Sequence, residues 1–590
     1  MDYSPRTVGV VVDVIGRPGP YTYSWPQQLG EPNLGDEVTV PLRNRVVAGW
    51  VIDVDQGYAG AVKPVLKRRR VAPPDGVTRT ALAASQWYSC SPVHFLRWSR
   101  RPLIRGAPEV RRQTGSGRLK REEVLFWHSV GDSSLAVAES VIASRYPGES
   151  GIAVLPTRRQ ADRLLARLRN AGISAADWVS SWDLVATGGI GVAVGTRTSG
   201  LAPVPAPRFV LVVDPVDPAM RDQSSPYFEG FELARLRARE EDADLVMVTA
   251  APPLEEAVRL RVLSQSFPES ARRWPKIRLL FRSDLDGDRG VPGWIAQNGR
   301  ALVSAAAAIK LAVVVPDGAT NASVICGSCG AVQRCTRCNS LLRPVNLGRG
   351  AYAREIERLR GALALDALYC SVEAETVKAV CMSCGSERLR VVGVSSRRAA
   401  ALLEGALRRE VVLCPDDGPV GGEVVVGGVG LLDRLEEVGS VVLWGLDRFF
   451  GVHSMVGSPL AIYYLNRAAS LVAPRGGEVV VVLDDRAHPV AEAIATRDLS
   501  RLYRGELALR ERLRLPPARA LAIASGPLAG ELANALVSKH PRDVEVMPGR
   551  KEGSVLIVAD DELRLHRLAN SVEHSVDTGM LKLEFSPRNL

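Results

Sequence analysis

A chain of 590 residues is too long for a single hydrophobic core and, at roughly 100 to 200 residues per domain, implies about three to five folded units. Hydrophobic residues make up 46% of it but aromatic ones only 5%, so its cores are built from Val, Leu and Ala; no run reaches the roughly 18 apolar residues of a membrane span. The excess of 75 Lys and Arg over 65 Asp and Glu favours polyanionic partners.

The N-terminal apolar run Val8 to Val12 ends at Asp13, too short and too acidic for a secretory signal, and the expected location is cytoplasmic. Short strands follow at Val38 to Val40 and Val46 to Val51, punctuated by Gly and Pro, and predict a small β-barrel or sandwich over 1–105. Between Arg97 and Arg121 the composition turns to Arg, Gly, Pro and Ser, which reads as a linker. Continuous β-branched runs then alternate with helical patterns: Gly151 to Leu155, a helix from Arg158 to Asn170, Ile190 to Val194, Phe209 to Val213 and Leu245 to Val248. Such runs indicate a parallel sheet covered on both faces. A second set, at Val411 to Leu413, Glu423 to Val426, Val441 to Leu443 and Val479 to Leu483, predicts a second lobe. The tail, with a helix at Leu499 to Leu513, strands near Leu521 and Val555 and a helix at Leu563 to Val572, reads as a small α+β domain.

Seven of the nine cysteines fall between Cys326 and Cys384, spaced Cys326-x2-Cys329-x5-Cys335-x2-Cys338, then Cys370, then Cys381-x2-Cys384. Each Cys-x-x-Cys turn aims two thiolates at one metal, and two turns complete the tetrahedral sulfur shell that structural Zn²⁺ prefers. Cys326, Cys329, Cys381 and Cys384 make one closed site. Cys335, Cys338 and Cys370 begin a second, in which Glu373 stands where a fourth ligand is expected; the alternative is a second site left empty. A closed thiolate shell offers no position for an activated water, so these sites are folding staples. Cys90 and Cys414 stand alone.

Two α/β lobes invite a search for a phosphate loop, and no G-x-x-x-x-G-K-[ST] occurs. Its expected place, after Val124 to Trp127, reads His128-Ser129-Val130-Gly131-Asp132-Ser133-Ser134-Leu135: the lysine position is Ser134 and the Mg²⁺-binding hydroxyl position is Leu135. After Phe209 to Val213 comes Asp214-Pro215-Val216-Asp217, with Pro215 where a water-positioning glutamate would stand. No catalytic residues and no cofactor-binding residues are assigned, and an active ATPase is not expected.

The order of these parts resembles the PriA family, the primosomal N′ proteins of bacterial replication restart. The resemblance rests on Gly35-Asp36-Glu37-Val38-Thr39-Val40-Pro41-Leu42-Arg43-Asn44-Arg45 continuing to Gly49-Trp50-Val51, on Gly195-Thr196-Arg197 and on the cysteine series. His488-Pro489, Tyr503-Arg504-Gly505-Glu506-Leu507-Ala508-Leu509-Arg510 and Leu515-Pro516-Pro517 extend it. It implies a multidomain α/β protein: a 3′-DNA-binding-like β domain (1–105), helicase-like lobe one (122–252), lobe two (253–322 and 393–498), a zinc-binding insertion (323–392) and a C-terminal α+β domain (499–590). It also implies partners: forked DNA, D-loops and single-stranded DNA, the machinery that loads the replicative helicase, and single-stranded DNA-binding protein, with a nucleoid-associated location.

Departures from the family pattern point to the shortened, helicase-deficient members found in actinobacteria. The family's F-D-Y is Tyr21-Thr22-Tyr23, and too few residues follow Trp87-Tyr88 for a winged-helix domain. G-S-A-T-P-S is Val248-Thr249-Ala250-Ala251-Pro252-Pro253, and Arg467 and Arg475 lack the neighbours of an ATP-reaching arginine pair. Lys67-Arg68-Arg69-Arg70 and the arginines from Arg97 to Arg121 are the densest positive runs and suit phosphate contact, or a solvated surface. Tyr21, Tyr23 and Trp50 suit stacking on an unpaired base or packing in a barrel core, and Arg43 and Arg45, which flank a turn in the matched motif, are the better candidates for DNA contact. The leading expectation is a DNA-binding assembly protein without its own ATPase; the rivals are a working 3′–5′ helicase with an unorthodox nucleotide site and a zinc-stapled RNA-binding module.

Overall fold

The computed structural model describes residues 6–14, 20–54, 60–100, 121–264, 274–281, 310–315, 323–329, 331, 333–336, 342–344, 367–370, 375–392, 396–414, 420–449, 455–483, 488–540, 542, 544–549, 553–571 and 580–588. The chain forms two compact units: Met1–Trp127, Ser134–Pro252 and Leu513–Pro587 in the first, and His128–Ser133, Pro253–Arg512 and Arg588–Leu590 in the second. The Leu499–Arg512 helix, expected to open the C-terminal domain, therefore groups with the second unit.

The first unit begins with strands β1 (Thr7–Val12), β2 (Tyr21–Ser24), β3 (Glu37–Leu42), β4 (Arg45–Asp53) and β5 (Lys67–Arg70), an antiparallel sheet ordered β2-β1-β4-β3-β5. Ser24, at the end of β2, exchanges backbone hydrogen bonds with Lys63 and Val65 just ahead of β5, so the sheet curls toward the expected barrel. Period-two alternation sends Val8, Val10, Val38, Val40 and Val51 inward with Tyr23 and Trp25. Val11 and Trp50, of opposite parity, pack on helices α1 (Asp75–Trp87) and α2 (Val93–Trp98), which an all-β reading of 1–105 omitted.

Lobe one follows as β6 (Glu123–Trp127), α3 (Ser134–Arg145), β7 (Gly151–Val154), α4 (Arg158–Asn170), β8 (Ala175–Asp177), α5 (Trp182–Ala186), β9 (Val192–Gly195), β10 (Phe209–Val213), α6 (Gly230–Glu240) and β11 (Asp244–Thr249). Its strands are parallel in the order β6-β11-β10-β7-β9-β8, and β10 and β11 are buried on both faces, as their unbroken apolar runs require. In the second unit α7 (Leu254–Arg259) precedes β12 (Lys276–Phe281) and β13 (Leu311–Val314). The cysteine segment adds β14 (Ser323–Cys326), β15 (Arg343–Pro344), β16 (Ala367–Cys370), β17 (Glu375–Lys378) and β18 (Leu389–Val392). Lobe two resumes with β19 (Val412–Leu413), β20 (Val424–Gly427), β21 (Ser440–Trp444) and β22 (Glu478–Leu483), giving the order β12-β22-β21-β13-β20-β19.

Counted from its own first strand, each six-stranded sheet reads first, sixth, fifth, second, fourth, third, so lobe two repeats the topology of lobe one. The cysteine segment is spliced in after the second strand of the repeat.

The C-terminal part of the first unit is β23 (Ala520–Ser525), a helix at Ala529–Lys539, β24 (Val544–Pro548), β25 (Val555–Ala559), a helix at Glu562–Asn570 and β26 (Lys582–Phe585). This is a β-α-β-β-α-β chain with sheet order β24-β25-β23-β26, the ferredoxin-like arrangement. One hydrophobic cluster joins it to α1, α2 and α6, through Val77, Ala81, Phe95, Leu233, Ala522, Leu532 and Leu568 among others. His566, nearly fully buried, stacks between Trp87 and Phe585, with ring centroids 3.9 and 4.1 Å away.

Candidate functional site

The cysteine segment brings Cys326, Cys329, Cys381 and Cys384 together, as the spacing predicts, and all four thiol sulfurs lie within 4.8 Å of one another. Cys326 ends β14, which pairs with β18, and this pairing folds the two Cys-x-x-Cys turns onto each other. The Sγ atoms of Cys326 and Cys384 are 3.6 Å apart, as are those of Cys329 and Cys381. A tetrahedron of sulfurs about 2.3 Å from a central zinc has edges of about 3.8 Å, so the donor set fits that ion.

Amide donors line the same sulfurs. The N–H groups of Ser328 and Cys329 donate to Cys326 Sγ at 3.3 and 3.5 Å, and that of Ser383 to Cys381 Sγ at 3.4 Å. The amide of Cys329 holds the Cys326 thiol below its ordinary value. Burial would raise the Cys381 thiol, but the amides of Cys384 and Ser383 and the side chain of Gln333 overcome it and bring it down to about 6. Cys384 goes the other way: the Ser386 amide would lower it, but its hydrogen bonds with the Cys329 and Cys326 sulfurs push it up to about 12, so without a metal the four sulfurs share protons that a bound ion would displace. Of the second cysteine set, Cys335 and Cys370 are buried in the core of this segment beside Val324, Leu342 and Leu368, while Cys338 and Glu373 lie outside the described residues.

The expected nucleotide loop leaves the carboxyl end of β6 and leads into α3. In the first unit Ser134, at the lysine position, is buried and its Oγ donates to Asp214 Oδ1 at 3.1 Å. Asp214 sits just beyond β10, almost fully buried with φ of +46°. Within the second unit, the Gly131 amide donates to Asn466 Oδ1 at 2.9 Å, and Asp132 accepts the Ser129 amide. Arg467 is paired with Asp433 at 2.7 Å, and the Arg475 side chain lies outside the described residues.

In the N-terminal domain Tyr23 is buried in the barrel core and its hydroxyl donates to the Pro41 carbonyl at 3.1 Å. Trp50 is buried on the other face, with the Arg100 guanidinium 5.0 Å from its ring centre. Tyr21 is only partly covered. Arg43 and Arg45 flank the exposed β3–β4 turn, where Arg43 takes φ of +53°, and neither has a carboxylate partner among the described residues.

The basic run Lys67–Arg70 is largely neutralised. Arg68 pairs with the fully buried Asp36 at 2.8 Å, and Arg69 and Arg70 both pair with Glu37. Arg97 of α2 and Arg100 just beyond it bind the two oxygens of Asp13 at 2.7 and 2.9 Å. The arginines between Arg101 and Lys120 lie outside the described residues. No described helix is long and apolar enough to cross a membrane.

Comparison with known proteins adds four findings. Residues 9–99 match the 3′ DNA-binding domain of PriA. The chain is 26% identical over 425 residues to the probable replication restart protein PriA of Mycobacterium tuberculosis (strain CDC 1551 / Oshkosh), covering 66% of this chain and 62% of that protein. It is 23% identical over 426 residues to the replication restart protein PriA of Synechocystis, covering 63% of this chain and 48% of that one. The chain therefore spans less than two thirds of the length of the relatives it matches. Among solved structures, yeast Dbp5 bound to RNA and ADP BeF3 matches with a TM-score of 0.33 at 11% identity, over 64% of this chain and 83% of that one.

Proposed function

We propose that this chain, a PriA-family protein carrying the family's 3′ DNA-binding domain, binds forked or D-loop DNA and serves primosome assembly without turning over ATP. The observation that carries the reading is the state of the nucleotide loop. Ser134 stands where a lysine would neutralise phosphate, and it is hydrogen-bonded to Asp214, the acidic residue that follows β10. Phosphoryl transfer depends on a cation and a metal clamp to offset the charge that develops on the transferred group, and this loop supplies neither. The lobes then serve as a scaffold, and the cysteine cluster holds a structural Zn²⁺.

Arg43 and Arg45 at the β3–β4 turn are the proposed phosphate contacts. Tyr23 is assigned to the barrel wall that shapes the end-binding face, with Tyr21 the more accessible ring. Partners on this reading are the helicase-loading machinery and single-stranded DNA-binding protein, at the nucleoid.

The deciding experiment measures DNA-stimulated ATP hydrolysis by the zinc-replete protein on a forked substrate, beside a mobility shift of the same fork. Fork binding with background turnover is expected. Turnover that rises with fork concentration and survives repurification would establish a working motor and overturn the reading.

A further inference from the structure

We infer that Gln333 is a positioning residue for the four-cysteine site, supplying a side-chain N–H to one sulfur while locking the two Cys-x-x-Cys turns in register. The inference rests on the zinc reading of that cluster.

Gln333 is fully buried, although a glutamine in so small a segment would ordinarily face water. Every polar atom of its side-chain amide has a use. Nε2 donates to the Ala331 carbonyl at 2.7 Å and to Cys381 Sγ at 3.4 Å, and Oε1 accepts the Met382 amide at 2.8 Å. Its backbone is held as well: its N–H donates to the Val324 carbonyl at 2.7 Å, and its carbonyl accepts the Leu342 amide at 3.0 Å.

These bonds run between the two halves of the site. Ala331 closes the first turn, since its carbonyl also accepts the Cys326 amide at 2.9 Å, whereas Cys381 and Met382 open the second. Gln333 and Cys381 are 48 positions apart in the chain, and beside the β14–β18 pairing this side chain links the two turns at the sulfur itself.

The electrostatics point the same way. Four thiolates around one Zn²⁺ leave a net charge near −2, and each N–H aimed at a sulfur disperses part of it in a poorly solvated place. Backbone amides from within each turn serve Cys326 and Cys381, but Gln333 brings the first turn's donor to the second turn's sulfur. Partners of this kind commonly change metal affinity by roughly 10–100-fold when removed.

The test uses the full chain with Gln333→Glu and Gln333→Met. The first keeps the length of the side chain and an oxygen for the Met382 amide but replaces the donor with an acceptor; the second keeps the volume and removes both. Each is loaded with Co²⁺ to read the sulfur-to-cobalt charge-transfer band, then with Zn²⁺ to measure affinity against a competing chelator. Both variants are expected to shift the band relative to the parent and to lose roughly 10–100-fold in Zn²⁺ affinity. A role in packing alone would leave the band of Gln333→Met unmoved. Unshifted bands with affinities within twofold of the parent would overturn the inference and leave the zinc site standing. A parent protein that takes up neither metal would overturn the zinc reading itself.

Discussion

Replacing Arg68 with alanine separates two meanings of the basic run Lys67–Arg70. Arg68 reaches a carboxylate, Asp36, whose side chain is 0% exposed, and is itself only 19% exposed. Asp36 also accepts the amides of Asn33 and Ala72 at 2.8 and 2.9 Å, so the variant leaves it two neutral donors and no cation at 2.8 Å. Removing one partner of a buried pair costs about 3–5 kcal/mol; the two amides that remain place this case near the lower end, about 3 kcal/mol. For a unit of this size that lowers the melting midpoint by something on the order of 5 °C.

The loss has a pH signature. Burial already holds Asp36 above the ordinary carboxylate range, against the pull of Arg68 and the two amides. Removing the cation raises the folded-state value further, so the penalty falls on the charged form. It is largest above the variant's folded value, shrinks as pH falls through that value and is gone below the parent's folded value, itself above the unfolded value near 4. Scanning calorimetry at pH 7 and pH 4 reads the stability, and a salt titration of fork binding reads the DNA. The salt slope of Arg68→Ala is expected to match the parent's, whereas Arg43→Ala and Arg45→Ala each reduce it by about 0.7–0.9 for every phosphate left without its cation. An Arg68→Ala protein that melts like the parent and binds DNA with a slope reduced by about 1 would refute the reasoning and make Arg68 a phosphate ligand.

Three further outcomes are expected. Ser134→Ala removes the hydrogen bond to Asp214 and lowers stability by about 1.5–3 kcal/mol in denaturant titration, with fork binding unchanged; no loss would mean that the bond does not form. Stripping the metal with a strong chelator is expected to unfold the cysteine segment, seen as rapid proteolysis within 323–392, and protection equal to that of the metal-loaded protein would count against a structural role. Asp222, buried but held below the ordinary carboxylate range by Ser224 and by Arg197 at 2.9 Å, contributes stability that is present above pH 4 and lost as pH falls through its lowered value. Asp222→Asn is therefore expected to be less stable than the parent at pH 7 and to converge with it in acid.

The two parallel sheets were legible because buried strands such as Phe209–Val213 and Val479–Leu483 are unbroken apolar runs, a signal carried by adjacent residues. The four-cysteine cluster was legible because Cys-x-x-Cys sets the geometry of two thiols within one turn. Helix α1 was not, for it buries Val77, Thr78, Thr80, Ala81, Ala84 and Ser85 and so shows no simple apolar stripe. The basic run was read as surface because its neutralising carboxylates lie over thirty residues earlier, across the β3–β5 ladder, where Glu37 is opposite Arg70 and Val38 opposite Arg68. Gln333 carries no motif at all: its role exists only once two distant turns meet.

The cluster that joins α1 to the ferredoxin-like domain sets a waiting time on the ribosome. Trp87 and His566, stacked in the finished protein, are 479 residues apart in the chain. At roughly 5–20 residues per second, synthesis of that interval takes about 25–100 s. During it α2 and then α6 can already pack on α1, and the whole of residues 253–512 emerges before Ala522 and Leu568 complete the cluster. The shared cluster therefore stays open on its C-terminal side for that interval, and slowing translation downstream of α1 lengthens it in proportion.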